Sequence, residues 1–255
     1  MRVIVIAAGR GRRLMPTTAD APKCFADVSG KRLIDWAVSA FYANGLKDIC
    51  FIGGYQIEKV RQQYPGFTFR ENVGWENNNI LASLMCAEDL MNEPFICCYS
   101  DVLFTPEIVA KLANSPEDHV LGVDTEWLTR YEHRTDHPPD DAENVTVDGG
   151  RVTRVHREIP ESEAYGEYIG VAKFSAAGAG RLREYYHRAR EEFTGKPWRE
   201  ASVFEKAYLI LLFQEMIEAG ERFTHVDTRG GYIEVDTQQD FEYARQNWIT
   251  KHQGR

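Results

Sequence analysis

The sequence predicts a single α/β domain: a Rossmann-like, three-layer α/β/α arrangement around a mixed sheet. Apolar runs of strand length alternate with segments of helical periodicity along most of the chain. The 255 residues suit one domain or at most two. The composition, 43% hydrophobic and 27% charged, is ordinary for a globular protein. We therefore expect one domain over residues 1–255, with a small β-hairpin and flap inserted at 124–167.

The amino-terminal half alternates regularly. Val3 to Ala8 is apolar and rich in β-branched residues, which predicts a buried strand. Residues 33–44 carry apolar side chains at helical spacing and stop at Gly45, a glycine signal for a helix end. The same criteria predict strands at 48–52, 67–69, 95–99 and 119–123, and helices at 57–64, 79–91 and 106–113.

The pattern changes after residue 123. Residues 124–141 are rich in proline, histidine and charge, which predicts an irregular flap. Two alternating apolar segments, 145–147 and 152–155, flank a Gly149-Gly150 turn and predict a β-hairpin. Beyond it the sequence predicts strands at 168–174, 223–227 and 232–236, and helices at 176–192, 202–219 and from 237 onward.

Charge and cysteine usage exclude several classes of partner. The formal net charge is −9, which argues against binding to nucleic acid or to an anionic membrane surface. The five cysteines include no C-x-x-C pair and are odd in number, which predicts reduced thiols and neither a zinc site nor a disulfide framework. With no signal peptide and no long apolar run recognised, we expect a cytoplasmic protein without membrane insertion.

The loop after the first strand has the chemistry of a polyphosphate site. Gly9 and Gly11 let the backbone approach a ligand, and free N–H groups at a strand end can hold anionic oxygens. Arginines at 10, 12 and 13 add forked donors suited to phosphate, and Lys23 follows the stiff Pro22. The alternative is a buried strand followed by a generic basic turn. Whether the arginines at 10 and 12 contact the ligand is left open.

Two common phosphate motifs do not fit this loop. A Walker loop needs Gly-Lys followed by Ser or Thr, and a dinucleotide loop needs a third glycine where this chain has Leu14. The stretch instead resembles the nucleotidyltransferase family of GT-A-like fold, which opens roughly AAG-x-G-x-R-(L/M)…PK. The residues that fall on this pattern are Ala7, Ala8, Gly9, Gly11, Arg13, Leu14, Pro22 and Lys23.

Carboxylates at two strand ends suggest a metal site. Asp101 follows a buried strand, where ligands collect in open α/β sheets, and Asp236 ends a later strand. The resemblance implies that both hold Mg²⁺. Glu234, two residues before Asp236 and so on the same strand face, is a third candidate. Alternatively, Asp101 caps a turn, or Asp236 caps the last helix beside a capping box.

Three successive asparagines at 77–79 open a predicted helix. One asparagine suffices as an N-cap, which leaves two to explain. The N-N-I-x-x-S segment resembles cytidylyltransferases that act on phosphocholine and on phosphonates such as 2-aminoethylphosphonate. It implies that Asn78, Asn79 and Ser83 contact CTP. Further segments at 131–138, 166–170, 204–208 and 233–237 resemble the same subgroup, whereas His156-Arg157 replaces its frequent Gly-Lys.

The acceptor residues are less defined. Arg134 and His137 could bind the acceptor phosphate, and Arg157 keeps a positive charge where the relatives often carry lysine. Glu167 and Tyr168, with Trp127, Tyr131 and Tyr232, lie in segments that could line an acceptor pocket. Aromatic faces and a carboxylate would suit an ammonium group. These aromatics could equally belong to the core or to a subunit contact, and the basic groups could pair with nearby aspartates.

The reaction implied by the resemblance is attack of an acceptor phosphate or phosphonate oxygen on the α-phosphorus of CTP, with release of pyrophosphate. Lys23 would contact the α-phosphate and Arg13 the leaving pyrophosphate. A phosphate monoester has a second pKa of about 6, so no general base is needed near neutral pH. Two alternatives remain open: a sugar-1-phosphate nucleotidyltransferase that uses UTP or dTTP, and a non-catalytic nucleotide-binding module. A homodimer also stays open.

Overall fold

A mixed nine-stranded sheet forms the centre of the molecule within the part of the chain that this computed structural model describes, residues 1–132, 134–136 and 139–252. Two short strand pairs flank it. The strands are β1 (Arg2–Ala7), β2 (Asp27–Val28), β3 (Lys31–Arg32), β4 (Ile49–Gly53), β5 (Thr68–Glu71), β6 (Phe95–Tyr99), β7 (Val102–Phe104), β8 (His119–Asp124), β9 (Asn144–Asp148), β10 (Arg151–His156), β11 (Gly166–Phe174), β12 (Phe223–Thr228) and β13 (Tyr232–Glu234).

The sheet order is β5-β4-β1-β6-β11-β8-β12-β10-β9. The first four strands are parallel, and β11 runs antiparallel to both β6 and β8. The predicted hairpin is confirmed, because β9 and β10 pair antiparallel around Gly149 and Gly150, both at positive φ. It joins the main sheet through β12 and β11 and does not stand apart as a separate flap.

Helices cover both faces, so the predicted α/β/α layering is confirmed. Val3 and Val5 of β1 face one apolar core with Phe41, whereas Ile4 and Ile6 face the other. This alternation places a covering layer on each side of the sheet. The helices are α1 (Leu33–Ala43), α2 (Ile57–Gln63), α3 (Ile80–Met85), α4 (Pro106–Asn114), α5 (Leu128–Tyr131), α6 (Ala176–Phe193), α7 (Leu209–Glu218) and α8 (Gln238–His252).

Two predicted helices are shorter than expected. The helix predicted at 79–91 ends at Met85, and only a 3₁₀ turn follows at Glu88–Leu90. The helix predicted from 202 begins at Leu209. Its expected first turns are instead a 3₁₀ turn and extended backbone, whose carbonyls at 205 and 207 accept from the start of α3. A tertiary contact therefore outweighs local helix propensity here.

The segment predicted as an irregular flap, 124–141, is in part a packed element. It contains α5, and Trp127 and Tyr131 are buried in a small cluster with Ala142. The hydrogen-bonded β7–β13 pair was not predicted as two partnered strands, because three residues give too little periodicity. Over the described residues, no helix has both the length and the apolar character needed to cross a membrane.

Candidate active site

A cleft of about 390 Å³ lies at the carboxyl ends of β1 and β6. We call it the main cleft. It lies where the chain leaves parallel neighbouring strands, the usual location of ligands in open α/β sheets. Its lining includes eleven residues that the sequence predicts: Ala7, Ala8, Gly9, Gly11, Arg13, Lys23, Asn78, Asn79, Ser83, Asp101 and Asp236. Arg12 also lines it.

Gly11 and Lys23 are in close contact, which explains why the loop has a glycine at position 11. Gly11 has φ +70°, and a Cβ added there would lie 2.8 Å from Lys23 Cβ. The hydroxyl of Thr18 donates to the Gly11 carbonyl at 2.9 Å. The loop therefore needs a residue without a side chain at position 11, both for its backbone conformation and for the passage of the lysine stem.

The ammonium of Lys23 lies between two carboxylates. Its Nζ is 2.7 Å from Asp101 Oδ2 and 2.5 Å from Asp236 Oδ1. Burial alone would lower the pKa of Lys23, but the two carboxylates outweigh it and raise that pKa well above its ordinary value. Arg13 also pairs with Asp236, and although burial lowers the pKa of Arg13, the carboxylates of Asp236, Asp141 and Glu234 together raise it above its ordinary value. The site thus combines two cations and two anions at short range.

A strand pair brings the two aspartates together across 135 positions of sequence. β7 and β13 pair antiparallel, so Asp101, just before β7, lies beside the end of β13. The Val235 N–H donates to the Asp101 carbonyl at 2.8 Å. Thr237 and Asp240 form the capping box of α8, with Asp240 accepting from the Thr237 N–H at 2.8 Å. The Asp236 side chain faces Lys23 instead of the helix end.

The two aspartates suit a hard divalent cation. One oxygen of Asp101, Oδ1, is buried and has no hydrogen-bond partner among the described residues. Mg²⁺ is commonly held by one or two carboxylates together with substrate phosphates and water. Within the described chain, no three His, Cys, Asp or Glu side chains cluster as a ready-made metal site.

An amide network forms the opposite wall of the main cleft. The side chains of Asn72 and Asn78 exchange two hydrogen bonds of 2.8 Å, and Asn72 also donates to Ser83 Oγ at 2.9 Å. Asn79 is the N-cap of α3, accepting from the Ile80 N–H at 2.9 Å. The prediction that one asparagine caps the helix is confirmed. Asn72, which is 2% exposed, was missed because nothing in its local sequence marks it.

The aromatic residue Trp75 of the cleft was also missed. Trp75 lines the cleft and packs edge-on against Tyr55 at 5.7 Å between ring centroids. A Cβ on Gly54 would lie 2.6 Å from Trp75 Cγ, so this glycine makes room for the indole. Arg10 stacks over the Tyr55 ring at 5.2 Å. The indole offers a flat apolar wall beside the amide network, as a nucleoside base would require.

A second, smaller cavity of about 50 Å³ adjoins the main cleft, and Arg13 and Tyr99 line both. We call it the side cavity. Besides Arg13, four further predicted residues line it, namely Arg157, Glu167, Tyr168 and Glu234. Glu234 therefore lies here, at 3.4 Å from Arg134, and is not among the residues that line the main cleft. Its predicted role as a metal ligand stays a prediction.

Two carboxylates of the side cavity were not predicted. Asp141 pairs with Arg157 at 2.7 Å and with Arg13 at 3.1 Å. Glu143 lies 3.4 Å from Arg157 and accepts from the Tyr99 hydroxyl at 3.2 Å. Burial raises the pKa of Glu143 to about 7, because it outweighs the opposing effects of Arg157 and of the hydrogen bond from Tyr99. Neither residue belongs to a recognisable motif.

Buried arginines support the walls of the side cavity. Arg130 pairs with Glu167 and, at 3.2 Å, with Asp124, and the Tyr131 hydroxyl donates to Glu167 at 3.0 Å. Glu167 is thus held by two groups behind the cavity wall.

The other two predicted acceptor residues differ in their surroundings. Arg134 is buried, and its Nε is 2.7 Å from Asp240, the capping residue of α8. It does not line the side cavity, so any contact with an acceptor would run through Glu234. Tyr168 lines the cavity, and its hydroxyl is buried without a hydrogen-bond partner in the described chain. His137 lies outside the described residues.

Comparison with known families agrees with this geometry. The model of the MobA-like NTP transferase domain matches residues 3–139, which is more than half of the chain. The chain belongs to this family and is a nucleotidyltransferase.

Individual relatives resemble most of the chain. It is 27% identical to a CTP:phosphoglutamine cytidylyltransferase of Campylobacter jejuni, over 95% of this chain and 98% of that protein. It is 25% identical to a 2-aminoethylphosphonate cytidylyltransferase of Lancefieldella rimae, over 74% of this chain and 73% of that protein. The solved structure of an inositol-1-phosphate CTP transferase from T. maritima has a TM-score of 0.73 at 21% identity, covering 98% and 96% of the two chains, which shows the shared fold.

Proposed function

We propose that this protein transfers CMP from CTP to a small acceptor that carries a phosphate or phosphonate group, with release of pyrophosphate. The observation that carries the proposal is the junction of the two cavities at Arg13 and Tyr99. A nucleotide in the main cleft and an acceptor in the side cavity would meet there. The activities named for the two curated relatives have the same two substrate classes.

The nucleotide would lie along the main cleft. Its phosphates would contact the backbone at Gly9 and Gly11, next to Ala7 and Ala8 at the end of β1. The base would stand at the opposite wall, where Asn78, Asn79 and Ser83 contribute polar groups. Fixed amide donors and acceptors can distinguish cytosine from uracil, because the two differ in hydrogen-bond pattern at one ring edge.

Lys23 would stabilise charge on the transferring phosphate, and Arg13 lies beside it at the junction of the two cavities. Ion pairs position both groups before substrate binds, which limits the reorganisation that binding requires. Asp101 and Asp236 would hold Mg²⁺, which supplies further charge neutralisation at the α-phosphate. Lys23 would exchange its contacts with these carboxylates for phosphate oxygens.

The acceptor would enter the side cavity. Arg157 would contact its anionic group, whereas Glu167 and Tyr168 would face the remainder of the molecule. The cavity has four carboxylates and two arginines in its lining, so it favours an acceptor that also carries a cationic group. Glu234 also lines the cavity, and Arg134 would act behind it through the ion pair between the two.

A matrix of pyrophosphate-release assays tests this proposal. CTP, UTP, dTTP, ATP and GTP are each combined, with Mg²⁺, with phosphocholine, 2-aminoethylphosphonate, phosphoglutamine and several sugar 1-phosphates. We expect release with CTP and an amino-bearing phosphate or phosphonate. Release only with UTP or dTTP and a sugar phosphate would replace this assignment by a sugar nucleotidyltransferase. If no combination releases pyrophosphate, CTP binding and turnover must be separated. Calorimetric titration with CTP, followed by a wider set of acceptors, distinguishes an untested acceptor from a non-catalytic binding module.

A further inference from the structure

The carboxylate of Asp141 bridges two arginines from distant parts of the chain. Its Oδ1 is 2.7 Å from Arg157 Nη1, and its Oδ2 is 3.1 Å from Arg13 Nη1. Arg13 follows the first strand, and Arg157 follows β10. Each oxygen thus serves one guanidinium, so this single carboxylate sets the spacing between the two cations.

Both guanidinium groups have further contacts that do not involve Asp141. Arg13 also pairs with Asp236, and Arg157 lies 3.4 Å from Glu143 and 3.9 Å from the ring centroid of Tyr208. These contacts would keep both guanidiniums in place if the Asp141 side chain moved away. The two cations therefore form a preorganised pair.

The bridge is at the rim and open to exchange with a ligand. The side chain of Asp141 is 26% exposed, and those of Arg157 and Arg13 are 28% and 57% exposed. All three line the side cavity at its junction with the main cleft. An incoming anion could reach the arginines by displacing one side chain, without unfolding an element.

We propose that the Arg13–Arg157 pair is the binding site for the phosphate or phosphonate of the acceptor, and that Asp141 occupies this site until the ligand displaces it. This inference rests on the proposed function for the ligand's role as acceptor. A phosphate offers three oxygens and up to two charges where the carboxylate offers two oxygens and one charge, so it can engage both guanidiniums with stronger hydrogen bonds.

The position of the pair fits an attacking group. Arg13 also contacts Asp236, which in turn contacts Lys23, the residue proposed to hold the α-phosphate. An anion between Arg13 and Arg157 would therefore lie next to the transferring phosphate. While the site is empty, Asp141 neutralises the arginines. Its presence weakens acceptor binding, because each binding event must first break two ion pairs.

The test measures binding of inorganic phosphate to the full chain without nucleotide or metal. Thermal unfolding is followed against phosphate concentration at constant ionic strength, with chloride as the balancing anion. In Asp141→Asn the bridging charge is removed at constant size. We expect its half-maximal phosphate concentration to fall about tenfold relative to wild type, the effect of one charged hydrogen bond. Asp148→Asn, at the exposed hairpin turn, has the same charge change and should leave binding unchanged.

A double variant that also removes Arg157 identifies where phosphate binds. Phosphate could also bind the glycine loop of the main cleft, so the gain in Asp141→Asn must depend on Arg157. We expect Asp141→Asn/Arg157→Gln to lose that gain, with an affinity at or below that of wild type. Should Asp141→Asn fail to fold, Asp141→Ser takes its place, since the site is at the rim.

Two results would overturn the inference: an Asp141 variant that binds phosphate no more tightly than wild type, or a gain that persists without Arg157. Because no CTP or turnover enters this measurement, its outcome is separate from that of the pyrophosphate-release matrix. A tenfold gain with no activity in the matrix and no CTP binding would leave the phosphate site standing and remove its role as an acceptor site. A positive matrix with no gain would leave the proposed function standing and overturn the inference about Asp141.

Discussion

The main cleft and the side cavity meet at the same two residues but are built differently. The main cleft is formed mostly by residues 7–23 and 72–83, which supply the backbone of the glycine loop and a short amide network, and it also holds the ion pairs of Lys23 with Asp101 and Asp236. The side cavity is formed by ion pairs between side chains from separate segments, such as Arg157 with Asp141 and Glu143. A rigid backbone suits the nucleotide, which is the same in every reaction, whereas an individual ion pair of the side cavity can be replaced by a contact with the acceptor.

This difference leads to a separation of effects. Changes in the main cleft should impair turnover with every acceptor, because all reactions share the nucleotide. Changes in the side cavity should alter acceptor binding and pH dependence while CTP binding persists. The variants below test that separation, and any side-cavity change that weakens CTP binding would contradict it.

The largest effect is expected for Lys23→Met. Loss of the cation between Asp101 and Asp236 should lower kcat by about 10² to 10³, comparable to removal of a charge-stabilising donor. The two carboxylates would then repel each other, so Tm should fall and Mg²⁺ should restore part of it. Steady-state kinetics and thermal unfolding with and without Mg²⁺ check both parts. The matched control is Lys47→Met at an exposed lysine; a near-normal rate in Lys23→Met would remove Lys23 from the reaction.

A somewhat smaller loss is expected for Gly11→Ala. The added Cβ would lie 2.8 Å from Lys23 Cβ at a backbone φ of +70°, so the lysine must shift. We expect kcat/KM to fall about tenfold to hundredfold with every acceptor, since misplacement near 1 Å has effects of this size. Gly30→Ala is the matched control, because Gly30 has φ +84° with open space around it. Equal losses in the two variants would show that backbone strain, and not the contact with Lys23, is responsible.

An effect on nucleotide recognition is expected for Asn72→Ala. It would leave the Asn78 amide and the Ser83 hydroxyl without their shared partner. We expect the Kd for CTP to rise about tenfold and the preference for CTP over UTP to narrow, in line with the loss of one or two hydrogen bonds. Calorimetric titration with both nucleotides measures this. Asn77→Ala, at an exposed asparagine, serves as the control; an unchanged CTP/UTP ratio would exclude the network from base selection.

The smallest effect is expected for Glu143→Gln and appears as a change in pH dependence. The folded-state pKa of Glu143 is about 7, against an ordinary value of 4.5, so between these values the folded protein binds more protons than the unfolded chain. Stability contributed by this group is therefore present at low pH and is lost as pH rises toward 7. Arg157 and the Tyr99 hydroxyl oppose that loss, whereas the nearby Glu167 adds to it.

Thermal unfolding from pH 5 to pH 8 measures the difference. We expect the Tm of Glu143→Gln, relative to that of wild type, to rise by several degrees between pH 5 and pH 8, with CTP binding unchanged. Parallel Tm curves would show that Glu143 is already ionised at pH 5. Weakened CTP binding would break the separation between the two cavities.

Much of the main cleft could be predicted from sequence because its chemistry is local. The apolar strand, the glycine turn and the proline-lysine pair lie within one stretch of 23 residues, and the asparagine run is continuous. Spacing within such stretches fixes which groups a loop can present. The comparisons confirm the family and the α/β fold; the individual roles of these residues stay predictions.

The helix ends show a limit of local reasoning. The start of α7 at Leu209 depends on the extended backbone before it, whose carbonyls accept hydrogen bonds from the first residues of α3. The sequence left Asp236 either as a metal ligand or as a cap of the last helix. In the structure Thr237 and Asp240 cap α8 and the Asp236 side chain contacts Lys23, whereas its role as a metal ligand stays a prediction. Periodicity reports which face of an element is apolar, but not which distant backbone group competes for its ends.

The sequence by itself determined the strand and helix alternation, the hairpin and the glycine-bearing loop after β1, because each is encoded by neighbouring residues. Tertiary structure alone decided how Asp101 meets Asp236, that Asn72 joins the amide network, and that Asp141 bridges Arg13 and Arg157. Those contacts depend on strand pairing and on ion pairs between residues that are far apart in the sequence. No local sequence pattern predicts them, since their energy comes from burial and charge in the folded molecule.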